Sequence, residues 1–242
     1  MRLKQLILLA AAGILVLSSC FKPEGEQYLY TNLYGIGTVS GITLQFETDG
    51  LSFTIADDQT DGKWMTLGRI FFCCDVIRAT AADAYDICLK NYEPVTSKPA
   101  AFKSQTPESV YGHDPVSLYQ DWGLEWKMRR LNFSCLITSL TKSNTVHSVD
   151  LVFDDVRSHS DTLFFELHHQ GQGESYENTD YPATDFQLET RYMTFDFSSC
   201  IPEDAGDSIM IVIEWDWFTS DGTNGLNREV EHQAIVGELT LK

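Results

Sequence analysis

Apolar and polar residues alternate along most of this chain, and that alternation is what most limits its fold. Residues 42–47 swap strictly between the two types, and the swap resumes in residues 51–55 after Asp49 and Gly50. Because successive side chains of a β-strand point to opposite faces, the pattern predicts strands with one buried face. The Asp-Gly pair between them predicts a hairpin. Helical periodicity is nearly absent, so the chain is predicted to be all-β.

The first half of the chain carries the pattern of a small barrel. Residues 68–77 form a more continuous apolar run, as expected of a central strand, and residues 84–92 give another strand. Five or so short strands within about seventy residues, separated by turn residues, are typical of a small closed sheet. We therefore predict a β-barrel over residues 28–100.

Residues 94–107 interrupt the alternation. The segment contains prolines at positions 94, 99 and 107, together with several Ser, Thr and Lys residues. Because proline lacks the N–H that a strand needs and stiffens the chain, this segment is the predicted domain boundary.

The second half predicts a β-sandwich over residues 108–242. About six or seven strands with hydrophilic connections of uneven length fit that architecture. Trp215 and Trp217 continue the longest apolar stripe, so both are predicted to lie in the core. The residues that share predicted strand faces are Leu131, Phe133, Cys135 and Ile137; Val149, Leu151 and Phe153; Leu163, Phe165 and Leu167; Met193, Phe195 and Phe197; and Ile209, Ile211, Ile213, Trp215 and Trp217.

The amino terminus has the pattern of an export signal. Arg2 and Lys4 precede an uncharged run, residues 6–17, that is too short to span a bilayer. The run closes on Leu17-Ser18-Ser19-Cys20, which resembles the lipobox of bacterial lipoproteins. We therefore predict a cleaved signal peptide over residues 1–19, lipid attachment at Cys20, and a flexible tether over residues 20–27. An ordinary secretory signal followed by a chance cysteine is the alternative.

The charge of the chain restricts its partners. The formal net charge is −18, and without Arg2 and Lys4 the remaining 15 basic residues face 35 acidic ones, a net charge of −20. Because binding to a phosphate backbone relies on clustered lysine and arginine, nucleic acid is not an expected partner. An acidic surface favours solubility, cationic ligands or basic partners.

Five cysteines remain once Cys20 is set aside, and an odd number cannot all pair within one chain. The expectation is that they are buried free thiols that act as small apolar side chains. A disulfide between Cys135 and Cys200 is the alternative, since an envelope location permits it. The five are Cys73, Cys74, Cys88, Cys135 and Cys200.

Two sets of residues suggest metal sites. Residues 57–62 resemble the start of a calcium loop, but the twelfth position, which should be a bidentate glutamate, is Gly68. An acidic surface turn is the better interpretation. On a strand, Glu166 and His168 share a face and His169 points away. A metal would need a third ligand there, so strand-end histidines exposed to solvent are expected, and neither a metal nor a cofactor is predicted.

The acidic residues offer an alternative function. Asp154, Asp155, Asp180 and Asp185 could supply the two carboxyl groups that glycoside hydrolysis requires. The sequence contains neither a Gly-x-Ser-x-Gly elbow nor a glycine-rich phosphate loop. No catalytic residue is therefore assigned. Trp122, which lies beside Gly123 in a connection, is the candidate for ligand contact, because indole rings stack on sugars and fill interface pockets.

The order and spacing of several short motifs resemble the NigD-like lipoproteins of Bacteroidota along nearly the whole chain. The resemblance implies an amino-terminal OB-like barrel, a carboxy-terminal immunoglobulin-like sandwich, and no established catalytic activity. The chain departs from that family at His113, where asparagine is usual, and in its cysteine content. The motifs are Leu17 to Cys20, Asp49-Gly50, Leu67-Gly68-Arg69-Ile70, Gly112-His113-Asp114-Pro115-Val116 leading to Trp122, Phe195-Asp196-Phe197-Ser198-Ser199, and Asp207-Ser208-Ile209.

The sequence as a whole predicts a non-enzymatic lipoprotein of the cell envelope, anchored at the outer membrane through Cys20, that binds or assembles with a protein or glycan partner. A glycan hydrolase that uses acidic residues of the sandwich is one alternative. A structural role, in which the domains space another component from the membrane, is another. The sequence leaves the partner, the membrane leaflet and the oligomeric state open.

Overall fold

A computed structural model of the chain describes residues 28–46, 51–118, 126–129, 132–142, 147–171, 176, 182–220 and 226–241. The chain divides into two compact units between Val95 and Thr96. The predicted signal peptide, tether and lipid-attachment residue lie outside the described residues. Within the described part, no helix is both long and apolar enough to cross a membrane.

The first unit is a closed barrel of five strands. The first strand pairs with the second and the fourth, the second with the third, and the fourth with the fifth. A parallel pairing between the third and fifth strands closes the ring. A short 3₁₀ helix, Lys63–Thr66, follows the third strand. The strands are β1 Tyr30–Ser40, β2 Thr43–Phe46, β3 Ser52–Asp58, β4 Arg69–Ala81 and β5 Ala84–Pro99.

The alternation of the sequence decides which side chains fill the barrel. Leu44, Phe53 and Ile55 are buried as the pattern predicts, and β2 and β3 pair as the two arms of the predicted hairpin. The strand predicted from residues 68–77 is β4, which lies between β1 and β5. The buried core of this unit consists of Leu44, Leu51, Phe53, Ile55, Trp64, Ile70, Phe72, Cys74, Val76, Tyr85, Ile87 and Leu89.

In its described residues, the second unit contains two sheets and one short α-helix, α1 Glu108–Tyr111. Strands β14, β13, β11, β10 and β6 form a five-stranded sheet in that order. In the other sheet, β9 lies between β12 and β7 and also pairs with β8. The strands are β6 Ala101–Phe102, β7 Val116–Leu118, β8 Trp126–Arg129, β9 Asn132–Lys142, β10 Ser148–Phe153, β11 Thr162–Gln170, β12 Phe186–Asp196, β13 Ser208–Ser220 and β14 Leu226–Thr240.

One hydrophobic core lies between these two sheets. Phe133 of β9, Phe165 of β11 and Ile211 of β13 all belong to it. Trp215 is buried in this core and Trp217 packs against it half-buried, so both tryptophans lie where the stripe predicts. The chain is therefore all-β, as predicted. Its stripes are buried because each alternate residue faces the opposite sheet.

The proline segment is more regular than its composition suggests. Pro94 and Pro99 lie within β5, and Pro94 is the register partner of Ile70 on β4. Ala101 and Phe102 then form β6, which pairs in parallel with β10. The division between the two units falls at the start of this segment, inside β5.

Candidate functional site

A cleft with a volume of about 240 Å³ lies on the outer face of the five-stranded sheet. Leu167 and Trp215, whose side chains belong to the core, are among the residues that line it. Its other described lining residues are three histidines and four carboxylates. They are His113, His168, His232, Asp114, Glu166, Glu214 and Asp216.

The strands bring these groups together through their register. Glu166 of β11 is paired with Glu214 of β13, and Asp216 of β13 is paired with His232 of β14. Glu166, Glu214 and Asp216 each alternate with apolar neighbours that face the core, so their own side chains point outward. These three carboxylates therefore occupy polar positions between members of the predicted core stripes, and His232 reaches the same face as the register partner of Asp216.

A tight segment after α1 covers one end of the cleft. The φ of Gly112 is +66°, and a Cβ there would lie 2.7 Å from the carbonyl oxygen of His169. The backbone N–H of Asp114 donates to that same oxygen at 2.9 Å, and a carboxylate oxygen of Asp114 accepts from the N–H of Gly171 at 2.6 Å. Only glycine combines this left-handed conformation with so close an approach. Gly112 therefore fixes where His113 and Asp114 lie.

His168 is held at both ring nitrogens. Its Nδ1 lies 2.9 Å from the carbonyl oxygen of Gly112, and its Nε2 lies 2.9 Å from a carboxylate oxygen of Glu166. The ring of Tyr111 packs against it with centroids 4.6 Å apart. The Gly112 carbonyl oxygen and the Glu166 carboxylate are both acceptors, so these two contacts fix the orientation of the His168 ring and join it to Glu166.

Lys103 neutralises two carboxylates at once. Its Nζ donates to Glu166 at 2.7 Å and to the buried Asp154 at 2.9 Å. The hydrogen bond from His168 is the main factor that lowers the pKa of Glu166 to about 2; burial opposes this, and Lys103 adds to it. Burial alone would raise the pKa of Asp154, but hydrogen bonds from Lys103 and from the N–H groups of Arg157 and Val156 outweigh it and lower that pKa.

Glu214 is held by a bidentate arginine. The guanidinium of Arg157 donates to its two carboxylate oxygens at 2.6 and 3.0 Å. The same guanidinium lies over the ring of Phe164, 4.4 Å from its centroid. The planar fork of arginine suits both contacts. The inner part of the cleft therefore consists of carboxylates that the chain already pairs with its own cations.

The rim of the cleft is open. Asp216 accepts a hydrogen bond from Nδ1 of His232 at 2.9 Å, and these side chains are 56% and 60% exposed. His113 lies 3.0 Å from Glu108 on the other side, and both are exposed as well. Contacts between exposed charged groups are weak, so these side chains can exchange partners.

Two buried histidines, His147 and His169, form a pair on the core side of the five-stranded sheet. Nδ1 of His147 and Nε2 of His169 are 2.8 Å apart, and the two rings are nearly parallel. Burial is the main factor that lowers the pKa of His169 to about 4, and His147 lowers it further. His169 is therefore neutral near pH 7.

The expectation of solvent-exposed strand-end histidines was wrong. His168 is 9% exposed and His169 is 1% exposed. Helix α1 and the segment of Gly112 and Asp114 cover the end of β11 and exclude solvent from both rings. The prediction that Glu166 and His168 share a face, with His169 on the opposite face, is confirmed.

The described residues contain no group of three or more His, Cys, Asp or Glu side chains placed to hold a metal ion. Residues 57–62 lie at the surface, as expected, but Asp57 and Asp58 are the last residues of β3 and only residues 59–62 form the connection that follows. Asp58 accepts hydrogen bonds from the Thr60 N–H and hydroxyl and from the indole N–H of Trp64. Asp61 accepts one from the Tyr92 hydroxyl. These carboxylate oxygens are thus engaged by neighbouring residues of the protein.

The acidic residues named for hydrolysis do not form a pair of carboxyl groups in the cleft. Asp154 is buried against Lys103, and Asp155 accepts hydrogen bonds from the backbone and hydroxyl of Ser104. Asp185 is exposed in a separate 3₁₀ helix, Ala183–Asp185. Asp180 lies outside the described residues, as do Cys20 and Trp122.

The five described cysteines are buried free thiols, as expected, so no disulfide joins Cys135 to Cys200. Burial raises the pKa of Cys200 to about 12 and that of Cys88 to about 11. Burial also raises the pKa of Cys74 and of Cys135. Thiols of this kind stay protonated and unreactive at neutral pH.

Sequence reasoning did not select Glu214, Asp216 or His232 as site residues. The apolar stripe that predicts the core also indicates that the polar residues between its members face outward. Glu214 and Asp216 alternate with Ile213, Trp215 and Trp217, so they occupy outward positions of the same strand. What the sequence does not show is that β11 lies beside β13 in parallel and so places Glu166 next to Glu214.

The fold is shared with solved structures from Bacteroidota. A toxin-related protein from Parabacteroides distasonis is 18% identical, with a TM-score of 0.59 over 86% of this chain and 93% of that one. A NigD-like immunity protein from Bacteroides caccae is 13% identical, with a TM-score of 0.55 over 87% and 95%. A Bacteroides fragilis protein described as a lipoprotein is 14% identical, with a TM-score of 0.56 over 87% and 98%.

No protein-family model and no curated protein sequence matches the chain. The structural matches confirm the resemblance to NigD-like proteins at the level of the fold. They extend over both units, since they cover most of the chain.

Proposed function

We propose that this protein is a NigD-like lipoprotein of the outer membrane whose two β-modules bind a partner and catalyse no reaction. The lipid is attached to Cys20, after removal of residues 1–19, and residues 20–27 form the tether. The lipobox-like end of the apolar run and the fold shared with a protein described as a lipoprotein support this proposal.

The two modules are an OB-like barrel, residues 28–100, and an immunoglobulin-like sandwich, residues 108–242. A five-stranded ring closed by a parallel β3–β5 pair supports the first assignment. Two sheets around one core support the second. Both folds hold ligand-binding surfaces on a rigid scaffold, which suits a recognition role.

The observation that favours binding over catalysis is the pairing of the buried carboxylates in the cleft with the protein's own cations. General acid catalysis requires a carboxyl group that holds its proton near neutral pH. Lys103 and His168 instead keep Glu166 ionised, with its pKa at about 2, and Lys103 helps lower the pKa of Asp154. The inner cleft is thus a fixed ionic network, and its exposed rim is the part available to a partner.

A protein partner suits this surface best. The chain is strongly acidic, and the rim presents Asp216 and Glu108 beside exposed histidines. One structural neighbour is described as an immunity protein and another as toxin-related, names that are compatible with protein recognition. Trp122, which precedes Gly123 in the sequence, is a further candidate contact, because indole rings anchor interfaces.

The experiment is chemical cross-linking in native membranes, followed by purification of the protein and mass spectrometry of what is attached to it. We expect one or a few envelope proteins at reproducible yield. In a Cys20→Ser variant the cross-links should be lost, because a protein that retains its leader and carries no lipid is not delivered to the outer membrane.

Two results would contradict the proposal. One is the recovery of the protein without any attached component at several cross-linker lengths. The other is glycan hydrolysis by the purified protein that disappears in Glu166→Gln, which would favour the hydrolase instead.

A further inference from the structure

The outer face of the five-stranded sheet carries an apolar row beside an acidic one. Phe164, Val212 and Val236 are register partners across β11, β13 and β14. The next row along the strands consists of Glu166, Glu214 and Ala234. We call these two rows, with Asp216 and His232 beyond them, the outer-face patch.

The apolar part of this patch is partly exposed to solvent. Phe164 and Val212 are half-buried, Val236 is 60% exposed, and Met210, two residues before Val212 on the same face of β13, is 38% exposed. Ala234 is exposed too. On a β-strand, positions facing solvent are normally polar, and apolar residues grouped there beside charged ones mark interaction surfaces.

The acidic residues of the outer-face patch favour a partner segment that carries positive charge. Glu166, Glu214, Asp216 and Glu238 lie on the face, where Lys103 contacts Glu166 and Arg157 contacts Glu214. His168 and His232 are the imidazoles that contact Glu166 and Asp216 among the described residues. Asp216 faces solvent at the rim. A lysine or arginine beside an apolar side chain would complement both halves of the patch, because opposite charge across an interface gives specificity and speeds association.

We propose that the outer-face patch docks a basic segment of a partner protein, with an apolar side chain over Val212 and Val236 and a lysine or arginine at Asp216. This inference rests on the proposed function and names where, and through which chemistry, the partner binds. A second copy of this chain is disfavoured as the occupant, since it would bring a net charge of −18 against a surface of the same sign.

Site-specific photo-cross-linking tests the docking site. A benzoylphenylalanine is introduced at Val236 and, as the matched control, at Leu188, which is 61% exposed on β12 in the other sheet. After irradiation of intact cells, the cross-linked peptides are sequenced. We expect position 236, but not position 188, to capture a peptide with lysine or arginine within a few residues of the attachment point.

Charge variants of the rim supply the second readout. Asp216→Lys should lower the cross-linking yield at position 236 by about tenfold, and Asp216→Asn by about threefold, because the first repels and the second only removes an attractive contact. Asp185→Lys, on the separate 3₁₀ helix, is the control and should leave the yield unchanged. The melting temperature of each variant verifies that it folds.

Several outcomes would overturn the proposal. They are equal capture at both positions, capture of glycan, capture of a second copy of this chain, capture of a peptide without basic residues, and a yield that ignores Asp216. If membrane cross-linking still recovered a partner attached elsewhere, the patch would be wrong and the proposed function would stand. If cross-linkers of every length recovered no partner, the proposed function itself would fail.

Discussion

Lys103 is the residue on which the cleft depends most. It bridges Asp154 and Glu166, two carboxylates that are largely withdrawn from solvent. Removing one partner of a buried ion pair is costly, because it leaves the other charge without compensation. Lys103 and His168 both contact the carboxylate of Glu166 and together stabilise its ionised form.

Lys103→Met tests this arrangement. We expect the free energy of unfolding at pH 7 to fall by about 2 kcal/mol, less than for a fully buried pair because Lys103 is 37% exposed. Urea denaturation measures it. Lys63→Met is the matched control, because Lys63 and its partner Asp61 are both exposed. The free energy of unfolding of this variant should be nearly that of the wild type. Equal losses in both variants would contradict the account.

His169 gives a prediction about acid stability. Its pKa is about 4 in the fold, compared with 6.5 for an unperturbed histidine, so the unfolded chain binds a proton more readily between these two pH values. Stability should therefore fall as the pH falls from 6.5 to 4, by up to about 3 kcal/mol from this group. Glu166, with its lowered pKa, loses its contribution at lower pH, between 4.5 and 2.

The His169→Gln variant separates the two effects. It should be less stable than the wild type at pH 7, because the contact with His147 is disturbed, but its stability should change less between pH 6.5 and 4. Urea denaturation at a series of pH values measures both. A slope equal to that of the wild type in this window would contradict the assignment of His169 as a buried neutral histidine.

At the scale of elements, α1 and the segment after it decide the environment of the histidines. Tyr111 packs on His168, and Asp114 binds both the carbonyl of His169 and the N–H of Gly171. Tyr111 and Asp114 can take these positions only because Gly112, between them, has a positive φ, a backbone conformation that few other residues adopt.

Gly112→Ala should disrupt that cover. The substitution places a Cβ at 2.7 Å from the His169 carbonyl oxygen, at a φ of +66°. We expect a loss of about 2 kcal/mol in the free energy of unfolding, together with faster hydrogen exchange at His169. Gly68→Ala is the control, since nothing lies within 4 Å of a Cβ there. A Gly112→Ala variant as stable as Gly68→Ala would contradict this account of the segment.

Alternation in the sequence predicted the all-β class and much of the core, because burial on one face acts on every second residue. It did not predict that β5 continues through Pro94 and Pro99 or that β6 follows. It identified Phe133, Phe165 and Trp215 as core residues, and all three are buried. It did not predict the burial of His168, because the covering Tyr111 comes from a distant part of the sequence. It also did not predict the cleft, which depends on the parallel β11–β13 pairing.

At the scale of the whole molecule, the proposed function requires that an acidic, all-β chain be held at a membrane surface. The net charge of −18 and the outer-face patch both favour a basic protein partner. A partner at the envelope is met efficiently only if the protein is held there, and a fatty-acyl anchor provides that. Lipid attachment at Cys20 is therefore the claim on which localisation and function depend.

Mass spectrometry of the amino-terminal peptide, from protein purified out of its native membrane, tests this claim most directly. The account predicts a peptide that begins at Cys20 and carries fatty-acyl groups, and a Cys20→Ser variant that retains its leader. A peptide that still contains Met1, or one that begins at an unmodified residue, would contradict it.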